Sequence, residues 1–169
     1  MNTQAIKWIG LLLAWLLVAG CVTVSAPDAT DLSSTKVVNV DGLKFKIPRY
    51  YKKFNENGAS VFRPEPPVRP SPGVLVFQEE TADSTALLGR AMLKVRDKMS
   101  GNPLAIKATI DGRECLGLTD ELLTHFIWIY VVEGKDAIWL LQIVAPLTWS
   151  DAQAIALHDM VVESVRIPH

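Results

Sequence analysis

The amino-terminal stretch constrains the chain most, because it holds an apolar run that is too short to span a bilayer. Lys7 precedes the run Trp8–Ala19, which has 12 residues and is almost wholly apolar. A helix needs about 20 such residues to cross the hydrocarbon core. The polar residues Thr23 and Asp28 follow soon after, so nothing lengthens the run. Its length and flanks predict a secretory signal peptide over residues 1–20 that the mature chain lacks.

The apolar run ends in Val18-Ala19-Gly20-Cys21, which resembles the lipobox of bacterial lipoproteins. A branched aliphatic and two small residues precede a thiol that a lipid donor can alkylate. The resemblance implies cleavage between Gly20 and Cys21, diacylglycerol on the Cys21 sulfur, and an acyl group such as palmitate on its new amino terminus. Two or more chains hold a protein stably on a bilayer. The alternative is a plain signal peptide, or a signal anchor, with a chance cysteine.

The residues after Cys21 bear on location. Val22 stands where enteric-type sorting reads an Asp retention signal, so the resemblance implies the periplasmic face of the outer membrane in a Gram-negative host. That inference fails for a host with one membrane. Residues 22–35 are rich in Ser, Thr, Ala and Asp and show no helical stripe. We expect a flexible tether over 21–35, which reaches at most about 50 Å.

The charge balance argues against nucleic acid as a partner. The chain of 169 residues has 17 Lys and Arg against 18 Asp and Glu. Loss of Lys7 with the signal peptide takes the net charge from −1 to −2. Nucleic-acid-binding domains need a clear basic excess. The remaining length predicts one globular domain over residues 36–167, because about 150 residues can bury a sufficient core.

Strand and helix patterns predict an α+β domain. Lys36–Val40 and Leu43–Ile47 flank Asp41-Gly42, the favoured turn of a hairpin. The longest apolar segments, 122–132 and 137–145, should form the sheet centre. Helix spacing of apolar residues predicts a helix over Ser84–Met99 and a second one after the capping box that begins at Ser150. Further strands are predicted over 60–63, 74–79, 105–110 and 114–118. The sheet should be mainly antiparallel and flanked by helices.

Several of these segments together resemble the PsbP-like fold. They are the strand end Lys46-Ile47-Pro48, the run Trp139–Pro146 followed by Trp149, and the closing segment Glu163–Ile167. Photosystem assembly proteins, a Ran-binding family and bacterial lipoproteins such as the DcrB group share this fold. The resemblance implies an α/β/α sandwich over about Lys36 to Ile167. It also implies an assembly or interaction module more than an activity, since fold does not fix function.

Residues with reactive side chains form no recognisable motif. Cys115 is the one thiol left once Cys21 carries lipid, and it is either a small buried hydrophobe or a reactive group. His125, His158 and His169 lack the spacing of metal ligands, and no Gly-x-Ser-x-Gly elbow is present. We therefore expect no enzyme, no metal and no cofactor beyond the lipid.

Aromatic and acidic residues of the longest strands have structural interpretations. Trp128 and Trp139 should lie in the core, and Trp149 should hold the last helix to the sheet. Asp120-Glu121 should form a solvated turn, and binding of a cation would require these carboxylates to converge with others.

The most distinctive surface signal is Arg49-Tyr50-Tyr51-Lys52-Lys53. Tyr and Arg are enriched at protein interfaces, and the proline-rich loop 64–72 follows shortly after. We expect one partner surface from both segments, with Pro64, Pro66, Pro67 and Pro70 in an extended loop. The alternative is a turn whose tyrosines pack inward.

Two functions are compatible with these features. The first is a lipid-anchored, non-catalytic interaction or assembly module in the cell envelope, whose protein partner is unknown. The second is a lipoprotein that holds a small or apolar ligand between helix and sheet.

Overall fold

The structure is a computed structural model that describes residues 31–65, 67–79, 103–121 and 124–168. Cys21, the signal peptide, most of the tether and the helix predicted over 84–99 lie outside these residues. Within them the chain forms nine strands and one helix, α1 (Asp151–Ser164). The strands are β1 (Thr35–Val40), β2 (Leu43–Pro48), β3 (Tyr51–Glu56), β4 (Ala59–Pro64), β5 (Gly73–Glu79), β6 (Leu104–Ile110), β7 (Arg113–Glu121), β8 (His125–Glu133) and β9 (Ile138–Pro146).

The predicted hairpin is confirmed as the two-stranded sheet β1-β2. Its turn residues Asp41 and Gly42 both have positive φ, 50° and 94°, which favours Asp-Gly there. The Asn39 side chain accepts a hydrogen bond from the Gly42 N–H at 2.9 Å. Alternate residues of β2 point into the core and are fully buried: Leu43, Phe45 and Ile47.

The other seven strands form one antiparallel sheet in the order β3-β4-β5-β9-β8-β7-β6. Strands β9 and β8, formed by the longest apolar segments, lie at and beside its centre, as predicted. Strand β3 was not predicted, because the segment was interpreted as a partner surface or, alternatively, as a turn. The turn Asn57-Gly58, with φ of 52° and 81°, joins β3 to β4. A polar edge strand such as β3 gives little apolar alternation for a sequence pattern to reveal.

Helix α1 starts where the capping box predicts. Ser150 accepts from the Gln153 N–H at 3.3 Å, and the Gln153 side chain accepts from the Ser150 N–H at 2.9 Å. The helix buries Ala154, Leu157 and Val161 against the sheet and the β1-β2 hairpin. No helix in the described ranges has the length and hydropathy that a bilayer crossing requires.

The described fold is therefore rich in sheet and has one helical layer, rather than a clear sandwich of two. Strand β8 alternates between two apolar clusters, one on each face of the sheet. Tyr130 and Val132 join the cluster on the α1 side, together with the fully buried Trp139. Ile127 and Ile129 join the cluster on the opposite face. Trp139 and Trp149 are buried as predicted, but Trp128 is only half-buried.

Candidate functional site

The predicted tyrosine-rich surface is only partly exposed. Tyr51 is 0% exposed and pairs with Pro64, which is also buried. Burial raises the pKa of the Tyr51 phenol, and the neighbouring Tyr50 adds to the effect. Tyr50 is half-buried and contacts Tyr51 edge-on, with ring centroids 5.0 Å apart. Tyr51 and Pro64 therefore do not belong to the predicted partner surface, because buried side chains give no contact area to a partner.

The cations of the same segment lie on the surface, and the fold brings one more cation beside them. Arg49, Lys52 and Lys53 are exposed. Lys36 Nζ donates a hydrogen bond to the Tyr51 carbonyl at 2.5 Å. Burial lowers the pKa of Lys36, and the charges of Lys52 and Arg49 lower it further. We call Lys36, Arg49 and Lys52 the basic corner. It lies where the folded domain begins, since the Arg49 N–H donates to the Ser34 carbonyl at 2.8 Å.

The proline loop is less exposed than its sequence suggests. Pro67 is exposed and Pro70 is half-buried after a cis peptide bond, while Pro72 is buried. Pro66 lies outside the described residues. The loop reaches the start of β8, where burial lowers the pKa of His125 and a hydrogen bond with the Ser71 backbone opposes that shift. The loop is therefore partly packed against the sheet end.

Cys115 lines a cleft between two strands that separate. The pairing of β7 with β8 runs from Glu121↔Phe126 to Gly117↔Tyr130 and stops there, although both strands continue. The unpaired ends, 113–116 and 131–134, enclose about 360 Å³, which we call the open cleft. Cys115 is 5% exposed, and burial raises its thiol pKa, with Glu133 adding to the effect and Arg113 opposing it. These features favour the small buried hydrophobe over a reactive thiolate.

His158 connects the helix to the sheet. The Tyr130 hydroxyl lies 2.7 Å from His158 Nε2, and His158 Nδ1 lies 2.8 Å from Asp159 Oδ1. Burial, with a smaller effect of Asp159, raises the pKa of Tyr130 to about 12. The phenol therefore keeps its proton at neutral pH and is hydrogen-bonded to His158.

Gly117 creates the space for Tyr130. A Cβ on Gly117 would lie 2.6 Å from both the Ile129 carbonyl oxygen and Tyr130 Cδ1. The ring of Tyr130 therefore lies over β7 at Gly117, the position that has no side chain. Sequence reasoning missed this connection, because Tyr130 and His158 are far apart in the chain and no local pattern links them.

Beside His158 lies a groove between α1 and strands β7 and β8. The Phe126 and Trp128 rings are half-buried with centroids 6.2 Å apart, and the Trp128 ring lies 5.2 Å from that of His158. The groove has a volume of about 270 Å³. We call it the aromatic groove, and its lining residues are Glu121, Phe126, Trp128, Asp151, Ala154 and Ile155.

Two sequence interpretations change at the aromatic groove. Trp128 was expected in the core, but it forms a groove wall. Asp120 and Glu121 were expected in a turn, but they are the last residues of β7. Trp128, Phe126 and Glu121 share one face because Glu121 pairs with Phe126. Among the described residues, no three His, Cys, Asp or Glu side chains meet as metal ligands.

Comparison with solved structures identifies the fold. No family model matches the chain, and no curated protein matches it in sequence. The solution structure of cyanobacterial PsbP (CyanoP) from Synechocystis matches with a TM-score of 0.59 and 17% identity, covering 80% of this chain and 94% of that one. The described part of the chain has a PsbP-like fold. At this identity the likeness shows the fold alone.

Two other solved structures show a lower similarity. A protein from Bacteroides thetaiotaomicron matches with a TM-score of 0.51 and 13% identity, over 80% of this chain and 48% of that one. LpqN of Mycobacterium tuberculosis, involved in cell envelope biogenesis, matches with a TM-score of 0.48 and 16% identity, over 80% and 91% of the two chains. Within this PsbP-like fold, the aromatic groove and the open cleft lie at opposite ends of the β7-β8 pair.

Proposed function

We propose that this PsbP-like chain is a lipid-anchored, non-catalytic interaction module of the cell envelope. The observation that carries the proposal is the basic corner, where Lys36 of β1 meets Arg49 and Lys52 at the start of β3. The corner lies at the beginning of the domain, a short tether away from Cys21. The lipobox resemblance supplies the anchor, and two or more acyl chains would keep the domain on the membrane.

Electrostatics favours an acidic protein partner at the basic corner. Neighbouring cations repel one another, and Lys36 also loses hydration where it is partly buried. A partner that brings carboxylates removes this repulsion and fixes the register of the two surfaces. Lys53 and Pro67 are also exposed.

The basic corner is tested by charge reversal in the anchored protein. The double variant Arg49→Glu/Lys52→Glu should lose its envelope partner in pull-downs after in-cell crosslinking, whereas Lys135→Glu, an exposed cation at the opposite sheet end, should keep it. Recovery of the same proteins in equal yield by all three chains would show that the corner is not the partner surface. Loss of membrane association alone, with partners retained, would assign the corner to lipid instead.

The anchor is tested separately at Cys21. The variant Cys21→Ser should incorporate no labelled palmitate and should accumulate as uncleaved precursor. Density-gradient fractionation of the unaltered chain should place it with the outer membrane. Normal maturation of the variant, with continued membrane fractionation, would contradict the lipobox interpretation.

We also propose the two-helix sandwich that the resemblance implies. Strands β5 and β6 run in the same direction but lie four positions apart in the sheet, so their connection crosses β9, β8 and β7. Parallel strands are usually joined by a helix on one face. The helix predicted over 84–99 suits this connection and the apolar cluster opposite α1. The variant Leu88→Asp should then lower the melting temperature far more than Arg90→Asp.

A second candidate function is ligand binding between helix and sheet. The aromatic groove favours it, because two half-exposed aromatic rings and the exposed Ile155 line a concave surface beside α1. Native mass spectrometry of protein purified from cells should show an added mass. A mass equal to that of the lipidated chain alone, in the unaltered protein and in Trp128→Leu, would count against this function.

A further inference from the structure

We propose that the groove between the β1-β2 hairpin and the carboxyl end of α1 binds the phosphate of an anionic phospholipid head group. The proposed lipid anchor underlies this inference, because the tether keeps the domain close to a bilayer. We call the site the hairpin groove. It has a volume of about 430 Å³, and its lining includes Val37, Lys44, Lys46, Met160, Glu163 and Arg166.

Two cations of the hairpin groove come from alternate positions of β2. Lys44 and Lys46 are exposed, whereas the residues between and beside them, Leu43, Phe45 and Ile47, fill the core. Side chains two residues apart on a strand share one face and lie about 7 Å from each other. Neither ammonium group has a partner among the residues that the structure describes. Two uncommitted lysines at this spacing can share one phosphate group.

The other charged residues of the groove do not cancel the two lysines. Glu163 is the one carboxylate of the described lining. Arg166 Nε lies 3.9 Å from Asp111 Oδ1, so we count this pair as neutral. The remaining charges, +2 from the lysines and −1 from Glu163, leave +1. The groove therefore favours an anion.

The carboxyl end of α1 offers little negative charge to oppose that anion. The last carbonyl groups of a helix lack partners within it and form its negative pole. In α1, donors from the following residues satisfy the carbonyl groups of Val161, Val162 and Glu163. The donor to Glu163 is itself a cation, Arg166 Nη1 at 3.1 Å. The pole is thus weakened where it borders the groove.

Apolar side chains in the groove favour a lipid over a free phosphate ion. Val37 pairs with Lys46 across the hairpin and is 63% exposed on the same face. Met160 of α1 is half-buried on the other side of the groove. A phospholipid carries glycerol and acyl carbons beside its phosphate, and these would remove both side chains from water. Inorganic phosphate would leave them hydrated.

The position of the groove in the chain favours a membrane over an acidic protein. Val37 is the third residue of β1, which begins where the predicted tether ends. The tether from Cys21 reaches at most about 50 Å, so the groove stays within reach of the bilayer that holds the anchor. Lysines this close to an anionic membrane surface are attracted to it.

Backbone hydrogen bonds hold the groove in shape. The Lys44 N–H donates to the Arg166 carbonyl at 3.0 Å, and the Arg166 N–H donates to the Lys44 carbonyl at 2.7 Å. The Lys46 N–H donates to the Ser164 hydroxyl at 2.8 Å. These bonds join β2 to the end of α1. A site whose walls are already placed loses little free energy on ordering when it binds.

The hairpin groove and the basic corner are separate sites. Lys36 and Val37 are neighbours on β1, so their side chains point to opposite faces of the hairpin. Lys36 reaches the Tyr51 carbonyl on its own face. Variants of the groove can therefore be tested with the basic corner unchanged.

The test uses the lipidated chain in nanodiscs that carry a trace of lipid spin-labelled at the head group. One set contains phosphatidylcholine alone, and in the other phosphatidylglycerol replaces part of it. The NMR signal of the Met160 methyl group should broaden strongly in the second set and little in the first. Salt at about 1 M should reverse the broadening, because it shortens the Debye length to about 3 Å.

Charge variants should change the docked fraction in a set order. Lys44→Gln and Lys46→Gln should each lower the ratio of docked to free domain about fivefold, the attraction expected for one lysine near an anionic surface. Glu163→Gln should raise that ratio. The matched controls Lys135→Gln and Asp136→Asn, exposed residues of the β8-β9 turn, should behave as the unaltered chain does.

Four outcomes would overturn the inference, and they differ in what they leave standing. Equal broadening in both sets of nanodiscs would show that the groove does not select an anionic head group. No broadening of Met160 in either set, while the chain co-elutes with the nanodiscs, would remove the groove and leave the anchor standing. A chain that co-elutes with neither set would remove the anchor as well.

The fourth outcome assigns the groove to another anion. Inorganic phosphate that shifts the Met160 signal in phosphatidylcholine nanodiscs, without broadening in the other set, would assign it to the free ion. An envelope protein that Lys44→Gln and Lys46→Gln fail to recover in pull-downs, again without broadening, would assign it to an acidic protein.

Discussion

The two ends of the β7-β8 pair use the same two strands in opposite ways. At one end the strands stay paired from Gly117↔Tyr130 to Glu121↔Phe126, and their side chains form the aromatic groove against α1. At the other end the pairing stops and the open cleft begins. Both strands remain extended there, because β6 continues to pair with β7 and β9 with β8.

The difference shows which contacts hold the neighbouring strands β7 and β8 together. At the paired end, ladder hydrogen bonds are reinforced by Tyr130 and His158, which connect the sheet to the helix. At the open end, Arg113 Nη1 donates to the Glu133 carbonyl at 3.0 Å and bridges the separated strands. At this end of the two strands, an exposed side chain replaces backbone pairing with a flexible contact. We therefore expect the paired end to tolerate change less than the open end.

Gly117→Ala should have the largest effect, because the added Cβ meets the backbone of the paired strand. Overpacking costs about 1–3 kcal/mol, and we expect a value near the upper end. Arg113→Ala at the open end is the comparison, because it removes only the contact of an exposed side chain with the Glu133 carbonyl. Urea denaturation measures both. A larger loss of unfolding free energy for Arg113→Ala would reverse the comparison.

Cys115 provides the next test, since it reports whether the open cleft admits a reagent. In a Cys21→Ser background, Cys115 should react with iodoacetamide at least about a hundredfold more slowly than an exposed thiol, because burial disfavours the thiolate. The matched control is Leu116→Cys with Cys115→Ala, since Leu116 is 45% exposed on the next residue of the same strand.

Equal labelling rates for these two positions would show that the cleft opens readily. Denaturant should abolish the difference, since both thiols are exposed in the unfolded chain. The rate for Cys115 should also begin to rise only at a higher pH than that for the exposed thiol, as expected from its raised pKa.

The sequence predicted those elements whose signals are local. Turn residues such as Asp41-Gly42 fix a hairpin by their own backbone preferences, and the Ser150 capping box marks the start of α1. Long apolar segments identified the central strands. Strand β3 was missed, because an edge strand with lysines lacks an apolar period, and because Asn57-Gly58 was not recognised as its turn.

The candidate sites could not be predicted in the same way. The aromatic groove depends on Glu121, Trp128 and Asp151 meeting from three elements, and the contact of Tyr130 with His158 depends on register and on the absent side chain of Gly117. The sequence pointed to two residues of the basic corner, Arg49 and Lys52, but Lys36 joins them only through the fold. Residues that meet only in the folded structure give no periodic pattern in the sequence.

The smallest expected effect comes from Tyr130→Phe, which removes one hydroxyl from the paired end. Loss of its hydrogen bond with His158 should lower the free energy of unfolding by about 1 kcal/mol at neutral pH. The folded pKa of Tyr130 is raised from 10.0 to about 12, so its contribution is fully present below pH 10 and is lost as the pH rises through about 12.

The unaltered chain should therefore lose more stability than Tyr130→Phe across that alkaline interval, when both are unfolded by urea at matched pH values. Tyr51 is present in both chains, so the difference between them belongs to Tyr130. Asp159→Asn should shorten the interval, because the charge of Asp159 is the second cause of the raised pKa. Parallel stability curves above pH 10 would show that Tyr130 ionises as a solvent-exposed phenol, and that the paired end is looser than its hydrogen bonds indicate.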